Sequence, residues 1–273
     1  MNSSNTKYST DNILFHVDNL DLLKMLCSKQ PNSLSLIYAD PPYNVGVDFK
    51  AFDDRWSCDE EYYAFMKERI ILFRELLADH GSLYLHTDYR TASYLRVILD
   101  EVFGVKNYIN ECIWFYKTGG MPQKIGFGRK HDTIHFVTKN KKQAIWNPQK
   151  EKSYLTHKYG FKNIEIFEDQ NGFYREVAMR DVWDIPGLRG NQAERNGYPT
   201  QKPEQLLERI IQASSNPGDC IADFFCGSGT TGAVASRLQR KWIMCDQGLQ
   251  AIETTRERLE AQAVDFEYRE TLT

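Results

Sequence analysis

Four consecutive residues, Asp40-Pro41-Pro42-Tyr43, follow an apolar run that reads as a strand. Two adjacent prolines donate no sheet hydrogen bonds and stiffen the chain, so they stop the strand and fix the carbonyls beside them. The Asp40 carboxylate and the Pro41 carbonyl become two acceptors aimed at one point, with the Tyr43 ring close by as a flat surface. That set suits a planar heterocycle bearing an exocyclic amine: its two N–H bonds meet the acceptors and its face meets the ring. A proline-stopped strand with a capping aspartate is the plain alternative for the tetrapeptide alone.

A second constellation lies near the C-terminus. A strand over residues 220–225 carries Asp223, and Gly227-Ser228-Gly229-Thr230-Thr231-Gly232 follows, opening a helix. Glycines allow a tight turn and close approach of a ligand, while N–H groups at a helix start attract an anion. A further strand over 242–245 leads to Asp246, about 17 residues beyond Gly229, where a carboxylate can accept bonds from a ribose diol. An ordinary glycine-rich strand-to-helix turn has the same features. The glycines also match the dinucleotide pattern G-x-G-x-x-G of a nicotinamide dehydrogenase, but only about one strand follows Asp246, which favours a mononucleoside cofactor.

The elements that must hold these residues are legible as alternating periods. Runs at 13–17, 34–39, 82–86, 112–116, 133–137, 220–225 and 242–245 read as short strands, several of them continuously apolar as in a sheet covered on both faces. Residues 59–78 place Tyr62, Met66, Ile70, Phe73 and Leu77 on one helical stripe, and 203–214 gather Leu206, Leu207, Ile210 and Ile211. Helical patterns at 91–101, 230–238 and 249–263 complete a strand and helix alternation, predicting a doubly wound α/β fold with a mostly parallel sheet.

Three stretches break that rhythm. Residues 43–58 mix Gly46 with acids and Trp56, which either closes over a ligand or anchors the loop. Residues 117–130 carry five glycines or prolines with Lys117, Lys124, Arg129 and Lys130. Residues 139–152 carry five lysines, Lys139, Lys141 and Lys142 among them, against one acid. The third opens an irregular segment running to about residue 200, which reads as a module on the sheet and not part of it. Its lysines are either a solvated face or a phosphate-contacting one. His86 with Asp88, and His131 with Asp132, read as packed strand-end pairs or as walls of a site.

Composition bounds the function. The chain has 273 residues, 41% hydrophobic and 26% charged, the profile of a globular protein with one large core and a small module. No apolar run approaches the roughly 18 residues a membrane helix needs, so a cytoplasmic protein without membrane attachment is expected. Six scattered cysteines with no CxxC pair predict neither a metal site nor a disulfide framework. The formal net charge of -3 requires any nucleic-acid contact to come from local patches, predicting one basic face built from 117–130 and 139–152.

Asp40-Pro41-Pro42-Tyr43, taken with Asp223-Phe224-Phe225-Cys226-Gly227-Ser228-Gly229-Thr230-Thr231-Gly232, resembles the S-adenosylmethionine-dependent amino-DNA methyltransferases. The tetrapeptide preceding the glycine loop matches their circularly permuted β class. Supporting matches include Lys130-His131-Asp132, Asp181-Val182-Trp183-Asp184-Ile185-Pro186 and Tyr198-Pro199-Thr200-Gln201-Lys202-Pro203, so the likeness spans roughly residues 13–259. Phe224 departs from the proline usual there.

The resemblance implies a class I methyltransferase sheet with a small inserted recognition module. The catalytic half would span 11–138, a target-recognition module 139–197 and the cofactor half 198–265. It implies methyl transfer to the N6 amine of an adenine flipped out of double-stranded DNA, with Asp40, Pro41, Pro42 and Tyr43 catalytic. S-adenosylmethionine would be held by Gly227, Ser228, Gly229, Thr230 and Thr231 at its methionine part, Asp223 at its amino group, Asp246 at its ribose, and Phe225 and Lys202 nearby. Lys117, Lys124, Arg129, Lys130, Lys139, Lys141 and Lys142 would contact DNA. Asp at position 40 is the usual adenine form, Ser the commoner cytosine-N4 form. A cytosine-N4 or RNA methyltransferase and a catalytically silent DNA-binding subunit are the alternatives. A homodimer and a cognate restriction endonuclease are further implied partners.

Overall fold

A computed structural model describes residues 12–117, 125–157, 164–190 and 192–272. The first part of the chain runs β1 (Ile13–His16), α1 (Asn19–Lys29), β2 (Leu34–Ala39), β3 (Val47–Phe49), β4 (Phe52–Asp54), α2 (Asp59–Leu76), β5 (Leu77–Thr87) and α3 (Ala92–Phe103). It continues through β6 (Tyr108–Phe115), β7 (His131–Thr138), β8 (Lys150–Tyr154), β9 (Phe167–Asp169), β10 (Gly172–Ala178) and β11 (Val182–Asp184). It closes with α4 (Glu204–Ser214), β12 (Cys220–Asp223), α5 (Thr230–Arg237), β13 (Lys241–Asp246), α6 (Leu249–Ala261) and β14 (Glu267–Arg269).

Among the described residues nine strands form the main sheet, in the order β11-β6-β7-β5-β2-β12-β13-β1-β14. Every neighbouring pair is parallel except those made by β7, which runs antiparallel to β5 and β6. The expected doubly wound, mostly parallel sheet is therefore the observed one. Successive side chains on a strand point to opposite faces, and the core divides accordingly. Ile37, Ala39, Leu83, Leu85, Ile243 and Cys245 pack with α1, α2 and α3; Leu36, Tyr38, Tyr84, Trp242 and Met244 pack with α4, α5 and α6. In α2 the expected stripe is buried at Tyr62, Met66, Ile70 and Phe73, while Leu77 already belongs to β5.

Strands β2 and β12 are about 180 residues apart in sequence yet adjacent in the sheet, with Leu36 opposite Ile221 and Ile37 opposite Ala222. From this pair the chain winds outward in opposite directions, β2 through α2 to β5 and β12 through α5 to β13. Such a reversal leaves a crevice at the C-terminal strand ends, where open α/β sheets bind ligands.

The stretch expected to lie wholly off the sheet is divided. β8, β10 and β9 form their own antiparallel sheet, but β11 joins the edge of the main one beside β6. Trp183 opposite Trp114 explains this, since both indoles bury there. Helix α1 has no counterpart in the sequence expectations. Asp18 caps it by accepting the Leu20 N–H at 2.7 Å, and Leu22, Leu23 and Leu26 bury one face. No helix among the described residues is long and apolar enough to cross a membrane.

Candidate active site

Strand β2 ends at Ala39 and the Asp40 turn projects into the crevice. The Tyr43 hydroxyl donates to Asp40 Oδ1, and the Lys202 ammonium donates to Asp40 Oδ2. Burial, then the carboxylates of Asp40 and Asp132, push the Tyr43 phenol well above its ordinary value, so it stays a donor. Lys202 also sits 5.5 Å from the Tyr43 ring centroid. An ionised carboxylate offers about four lone-pair positions. Asp40 therefore retains capacity to accept from a further donor.

Behind this turn lies a buried network. The Tyr38 hydroxyl meets His86 Nδ1 at 2.8 Å, His86 Nε2 donates to Asp132 Oδ2 at 3.3 Å, and the Tyr116 hydroxyl donates to Asp132 Oδ1 at 3.0 Å. An acceptor on Nε2 and a phenol on Nδ1 select the tautomer protonated at Nε2. Burial alone would raise Asp132; the hydrogen bond from His86, with the Lys202 charge and the Tyr116 hydroxyl, holds it below the usual carboxylate range. His86 Nδ1 is 3.9 Å from Asp40 Oδ1.

The other half of the crevice belongs to β12 and β13. Gly229 caps α5 in the left-handed region at φ 72°, and a Cβ there would stand 2.8 Å from the Thr255 side chain. Gly227 has φ 48°, with the Tyr198 ring 3.1 Å from where its Cβ would be. Both positions demand glycine. Asp223 accepts from the Thr231 hydroxyl and, at 3.0 Å, from the Phe225 N–H. It is 2% exposed, and burial pushes its carboxyl up to about 7. Asp246 accepts the Gly227 N–H at 3.0 Å and the Gly248 N–H at 2.9 Å, and burial raises it as well. A desolvated acid that keeps its proton to near neutrality stands ready for a cation, and a strand-end acid beside it for hydroxyl groups.

Both halves open on one cavity of about 580 Å³, lined by Asp40, Pro41, Pro42, Tyr43 and Lys202 on one side and Asp223, Phe225, Gly227, Ser228, Thr230, Thr231 and Asp246 on the other. Lys202 bridges them. Its ammonium is on Asp40 and its backbone carbonyl accepts from the Thr230 hydroxyl at 3.1 Å. Expected at the cofactor, Lys202 is thus placed with its charge on the other half.

A family model described as DNA methylase matches residues 34–257, spanning both halves. The chain belongs to this family. It is similar to the Type II methyltransferase M.HpaI of Haemophilus parainfluenzae, 33% identical over 245 residues that cover 90% of this chain and 74% of that one. It is also similar to the DNA adenine methyltransferase YhdJ of Escherichia coli (strain K12), 33% identical over 233 residues, covering 84% and 76%. Among solved structures, the M1.HpyAVI-SAM complex superposes with a TM-score of 0.62 at 22% identity, covering 90% of this chain and 98% of that one, which shows a shared fold.

For a DNA methylase the cations on the strand-end side matter, and the structure divides those expected. Lys117, 3.5 Å from Asp184, lies at the C-terminal end of β6. Arg129 lies over the Tyr89 ring at 3.9 Å, and the Lys130 carbonyl accepts the Tyr116 N–H at 2.9 Å, both on the Asp40 side. Lys124 lies outside the described residues. Lys139, Lys141 and Lys142 are not brought to the site. Because β7 is antiparallel, it delivers them to the far end of the sheet, beyond Thr138, which pairs with Ser82. There Lys139 donates to the Leu77 carbonyl at 2.6 Å and to Asn32. The single basic face is corrected too. Within the small sheet and just past it, Lys150 pairs with Glu176, Lys152 with Asp169 and Arg180 with Glu151, so these cations are matched by acids.

His86 pairs with Asp132 and not Asp88, which instead accepts from Arg90 and the turn into α3. Trp56 packs on Phe65 at 4.6 Å and Tyr62 at 5.4 Å, so it anchors its loop while touching the cavity wall. Phe224 stacks on Phe73 in the core, 5.6 Å between centroids, leaving the loop's binding groups in place. Asp54, Tyr198 and Thr255 had no place among the expected site residues. All three hold the walls of the crevice.

Proposed function

We propose that this protein transfers the methyl group of S-adenosylmethionine to the N6 amine of an adenine in double-stranded DNA. The observation that carries the reading is the shared cavity: an Asp40 acceptor flanked by the Tyr43 ring faces a glycine loop with two buried acids across one 580 Å³ space. The names of M.HpaI and YhdJ, a Type II methyltransferase and a DNA adenine methyltransferase, support it. So does Asp at position 40, the adenine form in the family it resembles.

The cofactor fits the residues present. Asp223 suits its ammonium group, Asp246 its ribose hydroxyls, and the Gly227 to Thr231 turn, closed against Tyr198 and Thr255, its methionine part, with Phe225 as a face beside it. When bound, S-adenosylmethionine supplies a methyl group on a positively charged sulfur, so the donor needs no further activation. The chain's own residues then have two tasks. One is orientation: Pro41 and Pro42 fix the turn, and Tyr43 offers its ring to the base. The other is electrostatic. An adenine amine has its lone pair delocalised into the ring; accepting its N–H bonds at Asp40 and the Pro41 carbonyl favours a pyramidal nitrogen and stabilises the positive charge that develops on it.

The target atom lies inside the duplex, so the base is extruded, at a cost of a few kcal/mol that stacking on Tyr43 offsets. Lys117, Arg129 and Lys130 on the strand-end side are the cations suited to the backbone. The β8–β10 sheet, set off from the core within the 139–197 stretch, is the module proposed to read the target. A cognate restriction endonuclease accords with the Type II name of M.HpaI. Asp40→Ala tests the mechanism. Transfer of labelled methyl groups to unmethylated genomic DNA should fall by at least about 10³-fold, with S-adenosylhomocysteine affinity unchanged within a few fold. Digestion of the product to nucleosides should yield N6-methyladenine; N4-methylcytosine would overturn the base assignment, and undiminished transfer by the variant would overturn the mechanism.

A further inference from the structure

Asp54, at the end of β4, is 2% exposed and gathers backbone bonds from one run of the crevice wall. Its Oδ2 accepts the Tyr43 N–H at 3.2 Å and the Val45 N–H at 3.3 Å, and its Oδ1 accepts the Asn44 N–H at 2.6 Å. Its backbone carbonyl accepts the Gly46 N–H at 3.0 Å. Four consecutive amides after Pro42 therefore converge on one residue. Asn44 sits at φ 56°, in the left-handed region that asparagine tolerates better than most side chains. No ion pair is seen at this carboxylate among the described residues. Burial raises it above the usual range and the three amides oppose that rise.

The same residue ends a hairpin that walls the other half of the site. Phe49 and Phe52 stack at 5.0 Å across β3 and β4, and Ala51 between them packs with Tyr198 and Ala251. The Ala51 carbonyl lies only 3.0 Å from where a Cβ on Gly248 would be, directly beside Asp246. One end of the hairpin thus abuts Gly248, whose N–H is bonded to the acid of β13, and the other grips the turn that carries Tyr43.

We propose that Asp54 is a positioning residue of the reaction. It sets the Tyr43 ring and the Asp40 turn against the target amine, and makes that turn continuous with the hairpin wall of the cofactor cavity. It touches no reacting atom itself. The inference rests on the function proposed above, so its test separates the two. Asp54→Asn keeps the volume and one acceptor oxygen; Asp54→Ala keeps neither. Labelled methyl transfer to saturating unmethylated genomic DNA should show kcat lower by about 10²-fold in Asp54→Ala, with Asp54→Asn between it and the parent. Affinity for S-adenosylhomocysteine, measured by calorimetry, should stay within about threefold in Asp54→Asn. A kcat within threefold of the parent in both variants overturns the proposal. So does an Asp54→Asn variant whose cofactor affinity falls in step with kcat, since that marks a merely structural tie. If Asp54→Ala does not fold, the Asp54→Asn split between kcat and affinity decides alone. A parent protein that methylates no DNA overturns the functional reading, and Asp54's part in it; a parent that turns over alongside unimpaired variants overturns Asp54 alone.

Discussion

The two halves of the crevice follow adjacent parallel strands and treat their carboxylates in opposite ways. Asp40, at the end of β2, is already bonded to an ammonium and a phenol, and its turn is stiffened by two prolines and by the Asp54 grip. Asp223, at the end of β12, accepts from a hydroxyl and one amide among the described residues, sits beside a loop shaped by glycines, and holds its proton to about pH 7. A neutral amine needs acceptors already fixed in place. A cationic group instead provides the ionising partner when it arrives. The contrast is that between a site preorganised for charge that develops during reaction and one completed by the charge of its ligand.

Lys202 joins the two halves, because it belongs to one by its backbone and to the other by its charge. Its side chain is 9% exposed and that of Asp40 is 16% exposed, so removing the ammonium leaves a largely buried carboxylate without its counter-ion. Truncating one member of such a pair costs roughly 2–5 kcal/mol. Lys202→Met should therefore lower kcat by about 10²-fold while S-adenosylhomocysteine affinity stays within a few fold. A parallel loss of cofactor affinity in calorimetry would assign Lys202 to the glycine-loop half instead.

The next effect is smaller and lies in pH. Burial raises Asp223 from 3.8 to about 7, so the ligand-free chain draws a stabilising contribution from the neutral acid that is complete below about pH 4 and is lost as pH rises through about 7. Binding a cation has the opposite sign, since it requires the ionised form. S-adenosylhomocysteine affinity should rise about tenfold between pH 6 and pH 8 and then level off, whereas Asp223→Asn should bind weakly with a flat profile. A parent affinity that falls over this interval would refute the role of Asp223.

The features legible in the sequence are those whose chemistry is local in the chain. The Asp40 turn and the glycine loop each lie within ten residues beside a strand end, and strand direction then puts both at one edge of the sheet. What was not legible depends on register and sheet order. His86 finds Asp132 only because β5 and β7 pair with His86 opposite Ile134. Asp54 reaches the amides of residues 43–45 through a hairpin whose strands are three residues long, too short for any periodicity to register. Lys139 looked like a phosphate contact because a strand's direction is a tertiary property. The antiparallel setting of β7 carries that lysine away from the crevice.

That same antiparallel strand separates two groups of cations, and the smallest predicted effect tests the separation. Arg129, exposed at the start of β7 and stacked on Tyr89, lies on the Asp40 side; Lys141 and Lys142, exposed past its end, lie on the other. A single phosphate contact contributes little, and does so evenly across sequences. Arg129→Gln should weaken binding of a duplex oligonucleotide about two- to fourfold and reduce the slope of log affinity against log salt by roughly one. The double variant Lys141→Gln, Lys142→Gln should leave both unchanged, since a duplex seated over the crevice is a full sheet height away from those side chains. Fluorescence anisotropy across a salt series measures both quantities. A reduced slope in the lysine pair, with none at Arg129, would mean that the duplex runs along the far end of the sheet, and that the strand-end cleft does not face the DNA.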